Sequence, residues 1–280
     1  MAEAAAVGRT RASTELAGSG AARPVGVVVG ASNVSRGIGQ VVAAAATALG
    51  GRADLHVAAG RGRSFGLDSR VVVRTLPSVL ASTLWRTLEA TPVAHALITD
   101  VGNDLMYGQS PDTVLAWVDA AAARLRAHGA RLTLVRLPMV RLRRLHPFGY
   151  ECMRALLFPR HVRFSWAEAL RRAECVDQGL AELARRHDAA VVVPEEVWYG
   201  VDPIHIRRAA AAAAWQHIFA AWTVAPSAVR APHATVVPWW PHLRLACALP
   251  AGAGFAGVRV RGAIPVRGRS VTQEVQVWVH

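Results

Sequence analysis

The chain has 280 residues, of which 52% are hydrophobic and 18% charged, so it is long enough for one large domain with a sizeable buried core. No apolar run reaches the roughly 20 residues that a membrane-spanning helix needs. The formal net charge of +13 would suit an anionic partner, but all 32 basic residues are arginine and none is lysine. Together with abundant alanine, valine and glycine, this bias indicates GC-rich codons, so charge alone does not predict nucleic-acid binding.

Cysteine and histidine spacing indicates neither a disulfide framework nor a metal site. The three cysteines, Cys152, Cys175 and Cys247, are widely separated, and none of the eleven histidines has the His-Glu-x-x-His spacing of a zinc site. We therefore predict no metal. Residues 1–23 are rich in Ala, Gly, Arg, Ser and Thr and lack the continuous apolar core of a signal peptide. For this segment we expect a disordered leader, and for the protein a cytoplasmic location.

Between residues 24 and 224, short apolar runs alternate with helical patterns. The runs that predict strands are PVGVVVG, ADLHVAAG, AHALITDVGND, ARLTLVRLP and AAVVVPE. The first is almost wholly apolar, as expected for a strand buried on both faces. Strands separated by helices at this spacing predict an α/β fold, with a mainly parallel five-stranded sheet covered by helices on both faces. Ligands of such sheets bind at the carboxyl ends of the strands.

Two segments depart from this alternation. Residues 139–165 are basic and aromatic. Residues 225–280 begin with a Pro- and Trp-rich stretch and end on SVTQEVQVWVH, in which valines alternate with mostly polar residues. A period of two predicts a strand, so we expect a small β-rich C-terminal extension.

The stretch VVVGASNVSRGIG, which begins at Val27, reads as a strand, a turn and the start of a helix. Its glycines resemble the opening of short-chain dehydrogenases, but six residues separate Gly30 from Gly37, which requires an insertion in the turn. Those enzymes also use a Tyr-x-x-x-Lys pair, and this chain has no lysine. The second strand does not end in an acidic residue that would bind a ribose. We therefore predict no nucleotide cofactor.

The same turn also suits a nucleophilic serine. Ser32 directly follows the first strand, and its N–H lies at a helix N-terminus, where negative charge is favoured; the alternative is a simple N-cap. Gly60 ends the second strand and would let backbone approach a ligand, with Gly62 as the rival position. Asn103 follows the third strand, where its amide could enter the same cleft or only shape the turn.

The sequence DPIH places Asp202 and His205 at the start of the last predicted helix, where Asp is a common N-cap and Pro a common first residue. A residue three positions after an Asp lies on the same side of a helical turn. His205 could then offer one ring nitrogen to Asp202 and the other to Ser32, which is the arrangement that acyl transfer requires.

These four blocks, in this order, resemble those of the SGNH/GDSL hydrolases, and the match covers most of the chain. The resemblance implies a flavodoxin-like three-layer α/β/α fold. It also implies a catalytic triad of Ser32, His205 and Asp202. An oxyanion hole would consist of the Ser32 N–H, the Gly60 N–H and the Asn103 amide.

The predicted function is hydrolysis of carboxylic esters through an acyl-enzyme, without metal or cofactor. Transfer to an alcohol uses the same residues, so an acyltransferase remains open. The family usually has Asp before the serine, where this chain has Ala31. We expect the turn to lack that carboxylate brace, which leaves open a catalytically decayed protein that binds or acts as a scaffold.

The basic and aromatic segment suggests a lid over the cleft. In this hypothesis, aromatic residues contact the acyl chain and arginines bind an anionic group. Local packing of a solvated insertion is the alternative. The residues concerned are Arg141, Arg143, Arg144, Phe148, Tyr150 and Phe158. The sequence sets neither the ester substrate nor the oligomeric state.

Overall fold

The computed structural model describes residues 22–71, 74–158, 163–223, 260–262 and 274–280. The predicted leader, residues 1–23, lies almost wholly outside these ranges. Most of the predicted C-terminal extension, including its Pro- and Trp-rich stretch, also lies outside them.

The strands form one large sheet and one small ribbon. They are β1 (Val25–Val29), β2 (Arg52–Ala58), β3 (Ser69–Val71), β4 (Arg74–Leu76), β5 (His95–Ile98), β6 (Arg131–Val135), β7 (Ala190–Val192), β8 (Val260–Gly262) and β9 (Glu274–Val279). The large sheet has the order β7-β6-β5-β1-β2-β9-β8, in which only β8 is antiparallel to its neighbour. Strands β3 and β4 form a separate antiparallel pair.

Helices cover both faces of the sheet. They are α1 (Ser32–Arg36), α2 (Ile38–Ala48), α3 (Leu84–Leu88), α4 (Asn103–Met106), α5 (Pro111–Ala127), α6 (Met139–Arg143), α7 (Pro147–Leu157), α8 (Trp166–Arg186) and α9 (Ala211–Phe219), with 3₁₀ turns at Glu196–Trp198 and Ala220–Trp222. Helices α2 and α9 pack on the face that includes Val28. Helices α3, α5 and α8 pack on the face that includes Val27 and Val29. All three valines are fully buried, which explains why β1 is a continuous apolar run.

The three-layer α/β/α fold and its parallel sheet are therefore confirmed, and each of the five predicted strands is present. The final alternating segment also forms a strand, β9, but it pairs in parallel with β2 instead of standing apart from the sheet. The sheet consequently has six parallel strands in the described part of the chain. Alternation reveals that a segment is a strand, but it does not identify the edge to which the strand binds.

The side chains of two histidines are in contact where β2 pairs with β9. His56 Nδ1 lies 3.1 Å from His280 Nε2, and the His56 ring stacks on Trp278 with centroids 4.6 Å apart. Burial lowers the pKa of His56 to about 4. Burial, with the nearby His56 and Arg63, lowers the pKa of His280 to about 3. Both rings are therefore neutral near pH 7.

The register of the central strands determines where the site forms. Val29 at the end of β1 pairs with Ala58 of β2 and with Ile98 of β5. The three loops that follow these strands therefore leave the sheet at the same height and on the same edge. Within the described ranges, no helix is both long enough and apolar enough to cross a bilayer.

Candidate active site

A chain of hydrogen bonds joins three of the predicted site residues. Ser32 Oγ lies 3.0 Å from His205 Nε2, and His205 Nδ1 lies 2.6 Å from Asp202 Oδ2. A carboxylate can only accept, so Nδ1–H donates to Asp202 and Nε2 is left to accept the hydroxyl proton of Ser32. The structure thus brings together a serine and a histidine that lie 173 positions apart.

Asp202 and His205 lie in a turn, and not in the helix predicted for them. Asp202 Oδ1 accepts the N–H groups of Ile204 and His205, at 3.1 and 3.2 Å, and helix α9 begins only at Ala211. An Asp side chain that bonds backbone two and three residues ahead stabilises such a turn by itself. The predicted helix start is therefore wrong, although the i to i+3 contact is present.

The electrostatics of this turn keep Asp202 ionised. Burial would raise the pKa of the Asp202 carboxyl, but the hydrogen bond and charge of His205, with the N–H groups of Ile204 and His205, hold it below its ordinary value. His205 itself is buried. An ionised carboxylate against one ring nitrogen fixes the imidazole's orientation and stabilises a positive charge on it.

Asn33 connects the serine turn to the histidine turn, a role that the sequence did not suggest. Its Nδ2 donates to the Ile204 carbonyl at 2.9 Å, and its Oδ1 accepts the Ile206 N–H at 2.8 Å. These two bonds flank His205 on both sides. The distance from Ser32 to His205 is therefore held by backbone contacts as well as by the ring itself.

Asp100 braces the serine turn, and sequence reasoning missed it too. Its Oδ2 accepts the N–H of Ala31 at 3.0 Å and of Asn33 at 2.8 Å, with a longer contact to Val34 at 3.4 Å. Its Oδ1 accepts the Asn33 side-chain amide at 2.8 Å. The expectation that Ala31 leaves the turn without a carboxylate is therefore wrong, because the carboxylate comes from the end of β5.

The same bonds leave one N–H of the turn available. Among the described residues, the Ser32 N–H has no hydrogen-bond partner, whereas its neighbours on both sides bond to Asp100. Asp100 has a positive φ of 59°, a conformation that Asp tolerates better than most residues. The available N–H lies beside the serine hydroxyl, at the first residue of α1.

Gly60 lies two residues beyond β2, and its N–H likewise has no partner in the described part of the chain. A Cβ at this position would approach Leu76 Cδ1 to 2.7 Å, so a larger residue would require the Leu76 side chain to move. The rival position, Gly62, has a φ of 66°, and its carbonyl accepts the Tyr107 hydroxyl at 2.5 Å. Gly60 shares the sheet edge with Ser32 but does not line the cavity beside it.

Asn103 is the first residue of α4 and lines the cavity together with Ser32. Its Nδ2 makes only a long contact, 3.4 Å, to the Arg63 carbonyl, so the amide is weakly held. The next residue, Asp104, is fully buried and accepts the Phe65 N–H at 2.9 Å. Burial raises the pKa of Asp104 to about 6. The hydrogen bond from the Phe65 N–H to the Asp104 carboxylate ties α4 to the loop that carries Gly60.

The segment predicted as a lid does form part of the wall of a cavity beside Ser32, but the three arginines of the hypothesis, Arg141, Arg143 and Arg144, do not line that cavity. Arg141 donates to the Gly200 carbonyl from Nε at 2.9 Å and from Nη2 at 2.6 Å. Arg143 pairs with Glu174, and Arg144 with Glu196. Tyr150 and Phe158 are buried and line the cavity, whereas Phe148 is 74% exposed. The aromatic part of the hypothesis is supported for two of three residues, and the anion-binding part is not.

No group of three His, Cys, Asp or Glu side chains that could hold a metal ion is found within the described residues. Cys152 and Cys175 are free and exposed, and Cys247 lies outside those residues.

Comparison with known proteins gives structural neighbours at low identity. No protein-family model matches the chain, and no curated protein matches it significantly. The structure is similar to the inhibitor-bound M. smegmatis aryl esterase, at 14% identity and a TM-score of 0.47, over 72% of this chain and 97% of that one. It is similar to Est24, a carbohydrate acetylesterase from Sinorhizobium meliloti, at 13% identity and a TM-score of 0.46, over 70% and 95%. It is also similar to a GDSL-like lipase from Bacteroides thetaiotaomicron, at 12% identity and a TM-score of 0.40, over 69% and 83%. At these scores the similarity assigns no activity, which must be judged from the site.

Proposed function

We propose that this protein is a serine esterase of the SGNH/GDSL type, which cleaves carboxylic esters through a Ser32–His205–Asp202 triad. The observation that carries the proposal is the continuous hydrogen-bond chain from Ser32 Oγ through His205 to Asp202, with distances of 3.0 and 2.6 Å. A serine hydroxyl is a weak nucleophile unless an adjacent base takes its proton.

Acylation would proceed as follows. His205 Nε2 takes the Ser32 proton while Oγ attacks the ester carbonyl, and Asp202 stabilises the resulting imidazolium. His205 then gives the proton to the departing alcohol, which leaves an acyl group on Ser32. Water, activated by the same imidazole, releases the acid and restores the serine.

The negative charge that develops on the carbonyl oxygen needs donors that are already in position. We assign this role to the N–H groups of Ser32 and Gly60 and to the side-chain amide of Asn103. Two features support this assignment: both backbone N–H groups lack partners within the described residues, and the Asn103 amide is only weakly held. Such preorganised donors stabilise the transition state without further rearrangement.

Asp100 is a positioning residue in this mechanism. It holds the N–H groups on either side of Ser32 and leaves the Ser32 N–H for the substrate. A decayed scaffold protein, suggested by Ala31 alone, is less well supported, because Asp100 supplies the carboxylate that position 31 lacks.

The proposal is tested by labelling with a fluorophosphonate, which reacts with activated serines. We expect stoichiometric modification of the wild-type protein at Ser32, identified by peptide mass spectrometry, and none in the folded Ser32→Ala variant. Ser35, which is also in α1, is the internal control, because its hydroxyl donates to the Ser32 carbonyl and has no histidine partner in the described chain. Labelling of neither serine, with no turnover of any ester, would overturn the proposal.

A further inference from the structure

A cavity of about 160 Å³ opens beside Ser32. Ser32, Asn103 and the Asp100 turn line it. Further lining residues come from the insertion that follows β6, from the start of α8 and from the turn that carries His205. Arg141 holds α6 of this insertion against the Gly200 carbonyl, so the wall is fixed to the loop that leads to His205.

The wall is apolar. Its side chains are mostly aliphatic, aromatic or sulfur-containing, and those from α6, α7 and the residues adjoining them include Leu142, Leu145, Tyr150, Met153, Leu157 and Phe158. The Tyr150 hydroxyl donates away to the Phe164 carbonyl at 3.1 Å, so the ring and not the hydroxyl contributes to the lining.

Three arginines also border the cavity, and each has a carboxylate partner. Arg136 Nε donates to Asp177 at 3.1 Å, and Arg154 Nε donates to Glu151 at 2.9 Å. Arg172 Nε donates to Glu168 at 2.5 Å, and the guanidinium stacks on the Phe164 ring at 4.1 Å. Because these cations are already neutralised, the cavity favours an uncharged apolar group over an anionic one.

Ser32 and Asn103 line the cavity, and so do Pro203, Ile204 and Ile206 from the turn that carries His205. The ester carbonyl that Ser32 would attack therefore lies beside the cavity, within reach of its acyl group. We propose, on the basis of the proposed esterase function, that this cavity binds the acyl group and selects an uncharged apolar acyl group of about six carbons, or a benzoyl ring, over acetyl.

The volume of the cavity determines the size of the acyl group that it can bind. An apolar cavity of about 150 Å³ holds one benzene molecule. An acetyl group would leave most of the cavity empty, whereas a hexanoyl or benzoyl group would fill it. Each buried methylene contributes roughly fourfold in kcat/KM, which corresponds to about 0.8 kcal/mol. The four added methylenes of hexanoate should therefore raise kcat/KM on the order of 10² over acetate.

Helix α7 provides a matched pair of adjacent leucines. Leu157 lines the cavity, and Leu156 is 74% exposed and does not. Leu157→Trp should fill the cavity and lower the hexanoate-to-acetate ratio by at least about tenfold, since a single misplaced methylene already changes such ratios 10-fold or more. Leu156→Trp should leave the ratio unchanged. Leu157→Ala, a second variant in case the tryptophan prevents folding, should move the optimum toward longer chains.

The experiment measures kcat/KM on p-nitrophenyl esters from acetate to dodecanoate, which share one leaving group. Binding of methyl hexanoate and methyl acetate to the non-reactive Ser32→Ala protein is measured in parallel. An optimum near six carbons that Leu157→Trp moves and Leu156→Trp does not would support the proposal. Turnover with acetate as the best substrate, or equal effects of Leu157→Trp on all esters, would overturn it and leave the esterase standing. Selective binding of hexanoate without turnover of any ester would instead overturn the esterase function and leave the apolar cavity standing.

Discussion

Replacing Asp100 by asparagine tests how much the Asp100 carboxylate contributes to holding the serine turn in place. Asparagine has nearly the same size and also tolerates the φ of 59° that Asp100 adopts. The carboxylate accepts backbone N–H groups from Ala31 and Asn33 at one oxygen and the Asn33 amide at the other, at 3.0, 2.8 and 2.8 Å. An asparagine can direct its single oxygen to only one side, so its NH₂ must face another donor.

These contacts determine the expected loss of unfolding free energy and of kcat in Asp100→Asn. The substituted amide would keep its oxygen toward the two backbone N–H groups and lose the bond to the Asn33 side chain, and no charge would strengthen the bonds that remain. Hydrogen bonds to charged groups are worth about 1.5–3 kcal/mol each. Because Asp100 is half-buried, we expect unfolding free energy to fall by about 2–3 kcal/mol. Displacement of Ser32 by a fraction of an ångström should lower kcat by roughly 10–100-fold, with little change in KM.

The assay combines urea unfolding with steady-state kinetics on the best ester. Asp188→Asn is the matched control, because Asp188 also has a positive φ, 49°, but lies exposed in the turn after α8, far from the serine turn in the sequence. Asp188→Asn should change neither the free energy of unfolding nor kcat. If Asp100→Asn kept wild-type kcat and lost less than about 0.5 kcal/mol, which is the range of ordinary surface substitutions, the brace would be an incidental contact.

Three further predictions concern the reacting groups and pH. Ser32→Ala and His205→Ala should each lower kcat by roughly 10⁴-fold or more, with the double variant hardly worse, because the two act as a unit; a folded single variant that stays active would contradict the triad. Asn103→Ala should lower kcat by roughly 10²–10³-fold with KM nearly unchanged. A loss of thermal stability with normal kcat would instead show that Asn103 only shapes its turn and does not bind the oxyanion. Because the pKa of buried His56 is lowered to about 4 from an unfolded value near 6.5, the unfolded chain binds more protons between these values. Stability should therefore fall as the pH drops from about 6.5 to 4, by up to about 3 kcal/mol more than in a His56→Phe variant, measured by thermal melts. Equal slopes in the two proteins would show that the pKa of His56 is not lowered by folding.

Much of this architecture is readable from the sequence because the signals are local. A strand buried on both faces must be a short apolar run, and Val27 to Val29 are all fully buried. The carboxyl ends of adjacent parallel strands share an edge, so the predicted order of Ser32, Gly60 and Asn103 along the chain also places them on one side of the sheet. The contact between Asp202 and His205 spans three residues, within reach of pattern reasoning.

The missed features are long-range. Asp100 reaches the serine turn across 67 residues to Asn33, and nothing in its own neighbourhood distinguishes it from an ordinary residue of a post-strand turn. The sequence shows Asn33 only as the residue that follows the serine, and its role becomes apparent from its bonds to Ile204 and Ile206 in the structure. The turn at Asp202 has the composition of a helix start, because an Asp side chain caps helices and turns with the same hydrogen bonds.

The two halves of the site are held by separate sets of contacts. Asp100 and Asn33 fix the serine turn to the segment after β5 and to the histidine turn. The proposed oxyanion hole depends instead on the loop after β2, where the Arg63 carbonyl contacts the Asn103 amide and the Arg63 guanidinium donates to the main-chain oxygen of His280 at 2.6 Å. His280, the residue that follows β9, therefore supports the loop that carries Gly60. In the proposed mechanism kcat depends on both sets of contacts, because His205 must activate Ser32 and the donors must bind the negative charge that develops on the carbonyl oxygen.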